Sequence, residues 1–210
     1  QEVIRTNILG TINVFEYAHQ ARVNKIVFSS SVSIYGQPNV QIVDETTAIY
    51  NPDIYGLSKL IGESFLRDQL VEIPSVSLRL PAILGKGAHS AWIPRITQQI
   101  FSEHDVTIYN PDFQINNIVS ALDVANFVVK LLRQDFTGNH SFPLACNGCM
   151  SINEIVTCIK ETLQSKSKIH ISPDVAVGSF ILDDQYARRI FKYSPSAIEA
   201  ILASYLSQYS

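Results

Sequence analysis

The sequence predicts an α/β fold in which short buried strands alternate with amphipathic helices. Apolar residues recur at helical spacing over 2–22 and over 55–70, and a nearly continuous apolar run follows each of these segments, at 23–30 and 75–80. Such runs are typical of strands buried on both faces of a parallel sheet. A strand, a crossover helix and a second strand form a parallel βαβ unit. We therefore expect a parallel sheet with flanking helices.

The elements of the first 85 residues follow in a regular order. The first helical pattern starts beside Gln1, with no initiator methionine and no capping residue before it, so we expect that residue 1 is not the natural beginning of the protein. Residues 36–53 contain glycine, two prolines and several polar residues, which predicts a loop. Asp53 ends this loop and is a suitable N-cap for the second helix.

Residues 86–210 mix shorter strands with helices. Ser151 and Glu154 have capping-box spacing, and Asp123 is expected to cap another helix. We predict helices at 91–102, 123–133, 152–163, 183–191 and 195–207, and strands at 106–109, 115–119, 141–145 and 169–171. This pattern predicts a small α/β lobe over 86–210, with some segments returning to the sheet of residues 1–85.

Composition and charge exclude several classes of protein. Of the 210 residues, 46% are hydrophobic and 17% are charged, and the net charge is −3, so neither disorder nor a nucleic-acid surface is expected. Charged or polar residues interrupt the longest apolar stretches, so we expect no membrane span. Three cysteines without a signal-peptide pattern favour a reducing cytoplasm. Cys146 and Cys149 form a single CxxC pair around a turn sequence, and we expect no metal site there.

The residues that suggest chemistry lie at the end of the first strand and the start of the second helix. Tyr55 and Lys59 are four residues apart and so share one helix face. A lysine ammonium favours a tyrosine phenolate, and a serine of the triplet 29–31 can hydrogen-bond the same substrate oxygen. This combination suits proton transfer in carbonyl and alcohol chemistry. Each part alone also fits an ordinary surface helix or strand end, but their joint order favours an active site.

Four segments carry a family resemblance: NILGTINV at 7–14, FSSSVSIYG at 28–36, YGLSK at 55–59 and LRLP at 78–81. They resemble the extended short-chain dehydrogenase/reductases, and more narrowly the NAD-dependent epimerase/dehydratase family, which acts on nucleotide sugars. The resemblance implies that residues 1–85 form the C-terminal half of a Rossmann-like NAD(P)-binding domain and that 86–210 form mostly a substrate lobe.

The resemblance also implies roles for individual residues. Tyr55 would be the general acid/base, Lys59 would hold the nicotinamide ribose, and Ser31 would hydrogen-bond the reacting oxygen. Cofactor contacts would come from Tyr55 and Lys59 and from Thr6, Ser29, Ser30 and Pro81. Candidate substrate contacts are Val32, Ser33, Ala82, His89, Trp92, Arg95 and Asn117. A surface or packing role is favoured for His89 and Trp92 and suits Arg95 equally well.

Departures from the family pattern reduce the number of reactions that fit this chain. Dehydratases of the family carry an Asp-Glu pair where this chain has Val32 and Ser33, so epimerisation, oxidation or reduction fits better than loss of water. The glycine-rich nucleotide-binding turn is not among these 210 residues, and we expect it upstream of Gln1. The choice between NAD and NADP therefore stays open.

Lys59 and Glu63 are four residues apart on the second helix. We expect this i,i+4 pair to form a surface ion pair.

These observations predict an NAD- or NADP-dependent epimerase or reductase in the cytoplasm, acting on a sugar, and more specifically a nucleotide sugar, for polysaccharide biosynthesis. The alternative is a non-catalytic fragment or degenerate paralogue that serves as a binding or oligomerisation module. A homodimer is expected through helices 2–22 and 55–71, which would pack as a four-helix bundle. We also expect the free edge of the strand that contains Val27 to be covered by another chain or by further residues.

Overall fold

The structure is a computed structural model that describes residues 2–89, 91–173 and 180–209. A π-helical segment, Ile4–Leu9, leads into the first helix, and 3-10 turns occur at Val32–Tyr35 and Ser207–Tyr209. The helices are α1 Gly10–Gln20, α2 Ile54–Gln69, α3 Trp92–Phe101, α4 Ala121–Arg133, α5 Ile152–Thr162, α6 Gln185–Phe191 and α7 Ile198–Leu206. The strands are β1 Ile26–Ser31, β2 Ile42–Val43, β3 Ser75–Leu80, β4 Ala82–Leu84, β5 Val106–Ile108, β6 Gln114–Ile115, β7 Ile118–Ser120, β8 Asn139–Pro143, β9 Met150–Ser151, β10 Ile169–Ile171 and β11 Ile181–Leu182.

The chain forms two compact units, and the first contains a three-stranded parallel sheet. This unit runs to Pro81 and adds Ala125–Leu144 and Asp183–Tyr193. Its strand order is β1-β3-β8, and both pairings are parallel. All six residues of the central strand β3 are buried, including its serines and arginine. The predicted α/β fold with a parallel sheet and flanking helices is confirmed.

Helix α2 packs closely on β1 because it carries a glycine at the contact. A Cβ atom at Gly62 would lie 2.7 Å from Cζ of Phe28, closer than side chains tolerate. Phe28 in turn meets Phe15 of α1 edge to face, with ring centroids 5.4 Å apart. The small core of this layer also contains Ile26, Leu66, Leu70 and Ile73. This packing fixes the second helix against the strand that ends in the serine triplet.

The second unit consists of Ala82–Val124, Ala145–Leu182 and a C-terminal segment that starts at Ser194. It contains the parallel pairs β4-β7 and β5-β10 and the antiparallel pair β6-β9. Helices α3, α5 and α7 contribute buried apolar residues to one core with these strands. The predicted capping box of α5 is confirmed: the Ser151 amide donates to Glu154 at 2.6 Å, and the Glu154 amide donates to Ser151 Oγ at 3.1 Å.

Two further predictions of helix caps had different outcomes. Asp53 is the N-cap of α2, as predicted, and accepts a hydrogen bond from the Gly56 amide at 2.7 Å. The prediction for Asp123 was wrong, because α4 starts at Ala121 and Ser120 Oγ accepts the Leu122 amide instead. The Asp123 carboxylate accepts from the amide and hydroxyl of Ser196. It therefore ties the C-terminal segment to α4 rather than starting the helix.

Strand β1 is the last strand on its side of the sheet. Among the residues that the structure describes, no other strand pairs with its free side. A groove of about 640 Å³ lies between this strand and α1, and residues of both elements line it. The expected cover by another chain or by further residues stays a prediction.

Within residues 2–89, 91–173 and 180–209, no helix combines the length and apolarity needed to cross a bilayer. The same ranges contain no group of three or more His, Cys, Asp or Glu side chains that could hold a metal ion. Cys146 is buried and Cys149 is exposed.

Candidate active site

Ser31 lies where β1 ends and a 3-10 turn begins. Its side chain is buried, its Oγ accepts the Ser33 amide at 3.1 Å, and its hydroxyl donates to Ser33 Oγ at 3.1 Å. Ser31 is thus the N-cap of the turn Val32–Tyr35. The structure therefore brings the predicted catalytic serine into contact with one of the predicted substrate residues, and Val32 lies between them.

Tyr55 and Lys59 lie on the first turns of α2. Tyr55 is 42% exposed, whereas Lys59 is half-buried. Lys59 Nζ lies 5.8 Å from the centroid of the Tyr55 ring and donates to the Ser29 carbonyl at 3.0 Å. Burial lowers the pKa of Lys59.

A second close glycine contact brings the turn that follows Ser31 against the first turn of α2. A Cβ atom at Gly56 would lie only 2.2 Å from the Ser33 carbonyl oxygen, so the first turn of α2 packs directly against the turn that follows Ser31. Gly36 ends that turn with φ +66°, and a Cβ atom there would lie 2.0 Å from the Tyr50 carbonyl oxygen. Only glycine fits both positions without displacing the backbone. The segment with Ser31 and Ser33 is therefore adjacent to the helix turn with Tyr55.

A buried polar network lies under this surface, and sequence reasoning missed it. Both carboxylate oxygens of Glu63 accept hydrogen bonds from Arg79, the shortest from Nη2 at 2.9 Å. Ser30 Oγ donates to Glu63 Oε1 at 2.5 Å. Glu63 is only 3% exposed. The predicted surface ion pair between Lys59 and Glu63 was wrong, because β3 supplies a buried arginine that a helix-spacing rule cannot detect.

Tyr35 is part of this network and is unsuited to proton transfer. Its ring is fully buried, its hydroxyl donates to the Asp44 carbonyl at 2.7 Å, and it accepts from Arg79 Nη1 at 2.9 Å. Burial raises the pKa of Tyr35 to about 12, although Arg79 acts in the opposite direction. Of the two tyrosines that follow the serine triplet in the motifs, Tyr55 is the one with an exposed side chain.

The predicted cofactor residues of the first unit occupy different environments. Thr6 and Ser29 are exposed, and Thr6 lines the groove beside β1. Pro81 follows the end of β3 and is buried. The hydroxyl of Ser30 is committed to Glu63, so a ligand could reach this residue only through its backbone. Ser31 and Pro81 thus mark the carboxyl ends of two neighbouring parallel strands, the usual edge for ligands in such sheets.

The remaining predicted substrate residues belong to the second unit. Trp92 and Arg95 line a cavity of about 420 Å³, together with aromatic and polar residues of β5 and the loop after it. His89 is exposed, and its Nδ1 lies 3.0 Å from the Gly87 carbonyl oxygen. Ala82 is the first residue of β4. The Asn117 Oδ1 atom is buried and has no hydrogen-bond partner within the described part of the chain.

Known proteins resemble this chain in sequence. The model of the NAD dependent epimerase/dehydratase family matches residues 1–145. A protein of Methanocaldococcus jannaschii, provisionally named UDP-glucose 4-epimerase, is 29% identical over 164 residues, which are 75% of this chain and 53% of that protein. The chain thus spans about half the length of this relative.

Solved structures resemble it in fold. The UDP-glucose 4-epimerase of Brucella ovis, in complex with NAD, has a TM-score of 0.84 at 22% identity, and the match covers 98% of this chain and 71% of that one. The UDP-glucose 4-epimerase of Thermotoga maritima, with UDP-glucose, has a TM-score of 0.80 at 21% identity, and the match covers 98% and 69%. At these identities the likeness establishes the Rossmann-type fold alone. Because the family model matches well over half of the 210 residues, the chain belongs to the NAD-dependent epimerase/dehydratase family.

Proposed function

We propose that this chain carries the proton-transfer and substrate-binding residues of an NAD-dependent nucleotide-sugar epimerase. The observation that carries the proposal is the exposed Tyr55 beside Lys59, on a helix turn packed against the segment that contains Ser31. The match to the epimerase/dehydratase family supports it, as do relatives that are named UDP-glucose 4-epimerases. The comparisons do not support the alternative of a non-catalytic binding module.

Tyr55 would exchange the proton of the reacting hydroxyl group. Its side chain is exposed, and a cationic Lys59 near the ring would stabilise the negative charge that develops on the tyrosine oxygen during proton transfer. Ser31 would donate its hydroxyl hydrogen bond to the reacting oxygen in place of Ser33. The same tyrosine would return the proton to this oxygen when the keto group is reduced, and bound NAD would be the group that takes up the hydride from the carbon and gives it back. The chain's residues thereby handle the proton while the sugar changes configuration.

The residues present fit the nicotinamide end of NAD. Lys59 offers a cationic donor at the carboxyl edge of the sheet, and Ser29, Pro81 and Thr6 lie on neighbouring segments of the same unit. Bound NAD would supply hydride acceptance and hydride return, which no side chain can perform. NAD is favoured over NADP because the family is NAD-dependent and the Brucella ovis relative is in complex with NAD.

Epimerisation is favoured over dehydration by the residues beside Ser31. Val32 and Ser33 offer no carboxyl group that could assist the loss of water. Glu63 cannot substitute, because it is buried and both of its carboxylate oxygens accept hydrogen bonds from Arg79. The proposed reaction therefore ends with inversion rather than elimination.

The cavity beside α3 suits the nucleotide part of the substrate. It combines the aromatic rings of Trp92, Tyr109 and Phe113 with the guanidinium of Arg95. Aromatic faces stack on nucleobases, and a guanidinium pairs well with phosphate oxygens. A volume of about 420 Å³ is within the usual range for small-molecule sites. We infer that this cavity binds a nucleoside diphosphate.

A direct assay tests the proposed reaction. The protein is expressed from its complete gene and incubated with NAD and UDP-glucose, and proton NMR follows the sugar. We expect UDP-galactose to form without net consumption of NAD. Stoichiometric formation of NADH would instead indicate a dehydrogenase, and a 6-deoxy-4-keto sugar would indicate a dehydratase. Binding of UDP-sugars without any conversion would support the binding module.

The proposed homodimer through α1 and α2 is supported by exposed apolar residues of α1 and of the π-helical segment before it. Ile4 and Leu9 of that segment and Val14 and Tyr17 of α1 are 48–71% exposed, and such a concentration of exposed apolar side chains suits an interface. Sedimentation velocity of the full protein should give a dimer, and Val14→Glu with Tyr17→Glu should give a monomer. A wild-type monomer at micromolar concentration would contradict this arrangement.

A further inference from the structure

We propose that Glu63 is a positioning residue for the reaction proposed above, on which this inference rests. It never touches the substrate. Instead, it holds the end of β1, which carries Ser31, in register with the helix that carries Tyr55 and Lys59. The geometry that supports this role is the hydrogen bond from Ser30 to Glu63, one residue before Ser31.

Helix α2 contacts the end of β1 at two successive residues. Lys59 Nζ donates to the Ser29 carbonyl at 3.0 Å, and Ser30 Oγ donates to Glu63 at 2.5 Å. Lys59 and Glu63 are four residues apart, one turn along the same helix face. The two contacts therefore fix both the backbone and a side chain of the strand immediately before Ser31.

Arg79 fixes the carboxylate of Glu63. Ser30 and Arg79 are register partners in neighbouring parallel strands, so Glu63 bridges β1 and β3 at one level of the sheet. Arg79 donates to Glu63 through Nε and Nη2, which leaves the carboxylate one orientation. Its Nη1 donates to the hydroxyl of Tyr35 and to the Glu45 carbonyl.

The same network therefore anchors the chain both before and after Ser31. Ser30 is anchored before it, and Tyr35 is anchored at the end of the turn after it. All the side chains of this set are buried, so water cannot replace a lost contact easily. A shift of about 1 Å in a reacting group can lower a rate by roughly a hundredfold. Loosening Glu63 should therefore act on catalysis through Ser31.

The test is a double-mutant cycle between Glu63→Gln and Ser31→Ala in the full protein. Glutamine keeps the volume but loses the charge and one acceptor. With Ser31 present, Glu63→Gln should lower kcat by about tenfold to a hundredfold with little change in KM for the nucleotide sugar. In the Ser31→Ala background, the same substitution should have almost no effect, because the group that it positions is already gone.

The matched control is Asp68→Asn, a carboxyl-to-amide change on the exposed side of the same helix. It should leave kcat unchanged. Equal losses of kcat from Glu63→Gln in the Ser31 and Ser31→Ala backgrounds would show a merely structural role for Glu63 and overturn the proposal. An unchanged kcat of Glu63→Gln with Ser31 present would also overturn it. If Glu63→Gln does not fold, Ser30→Ala removes the same link while leaving Glu63 paired with Arg79, and the same cycle applies.

A measurement without substrate separates this inference from the proposed function. If the wild-type protein shows no turnover, the proposed function fails, and amide hydrogen exchange then decides the positioning role. The Ser33 amide donates to Ser31 Oγ, and the Gly36 amide donates to the Ser33 carbonyl. We expect both amides to exchange faster in Glu63→Gln than in Asp68→Asn. Equal exchange rates would contradict the positioning of this segment by Glu63.

Discussion

Replacement of Tyr55 by phenylalanine should lower kcat by about a hundredfold to ten-thousandfold while NAD binding stays nearly unchanged. The substitution removes only the hydroxyl, which is the proposed proton-exchanging group on the first turn of α2, where the Tyr55 side chain is exposed. A loss of this size corresponds to about 3–5 kcal/mol of transition-state stabilisation. Steady-state kinetics of UDP-sugar conversion measures kcat, and fluorescence titration with NADH measures cofactor affinity.

The matched control is Tyr50→Phe. Tyr50 also has a largely exposed side chain, but it lies in the loop before α2, where its backbone pairs with that of Gly36 at the end of the turn after Ser31. The substitution leaves this backbone pairing intact, so the variant should turn over at the wild-type rate. Wild-type turnover by Tyr55→Phe would remove Tyr55 from the proposed mechanism, and equal losses in both variants would show a general sensitivity to lost tyrosine hydroxyls.

Local patterns were sufficient to predict the part of the fold that positions the candidate site. The β-branched run around Val27 and the helical spacing after Asp53 each depend on neighbours within a few residues, and these elements were predicted to within about three residues. The capping box at Ser151 likewise depends on a four-residue spacing. The closeness of Ser31 and Tyr55 could be expected only because a family motif joins them across the intervening loop.

The buried network could not be predicted in the same way. Glu63 and Arg79 are 16 residues apart, and their contact depends on how α2 lies across the sheet. From sequence alone, Lys59 was the nearer partner for Glu63, because the i,i+4 rule concerns one isolated helix. One signal was available: an arginine near the end of the apolar strand SVSLRL favours a buried anion as its partner. An acidic residue on the covering helix was the natural candidate.

The largest stability effect is expected from Arg79→Met, because it leaves the Glu63 carboxylate buried without its counterion. The side chains of both partners are less than a tenth exposed, and Ser30 would be the one remaining donor of this network to Glu63. Breaking a buried pair from one side typically costs about 3–5 kcal/mol. Urea denaturation of the full protein should show a lower free energy of unfolding by about this amount.

Arg67→Met is the matched control on the same helix. Arg67 pairs with Asp68 at 2.9 Å, but both side chains are more than half exposed, so its loss should cost less than about 1 kcal/mol. The double variant Arg79→Met with Glu63→Leu should recover much of the stability, because no buried charge remains in this pair. It should not recover turnover, since the link from Ser30 to the helix is still missing. Stability restored without activity would separate the contribution of the ion pair to stability from its role in holding Ser31. A double variant as unstable as Arg79→Met would show that packing around Arg79 matters more than its charge.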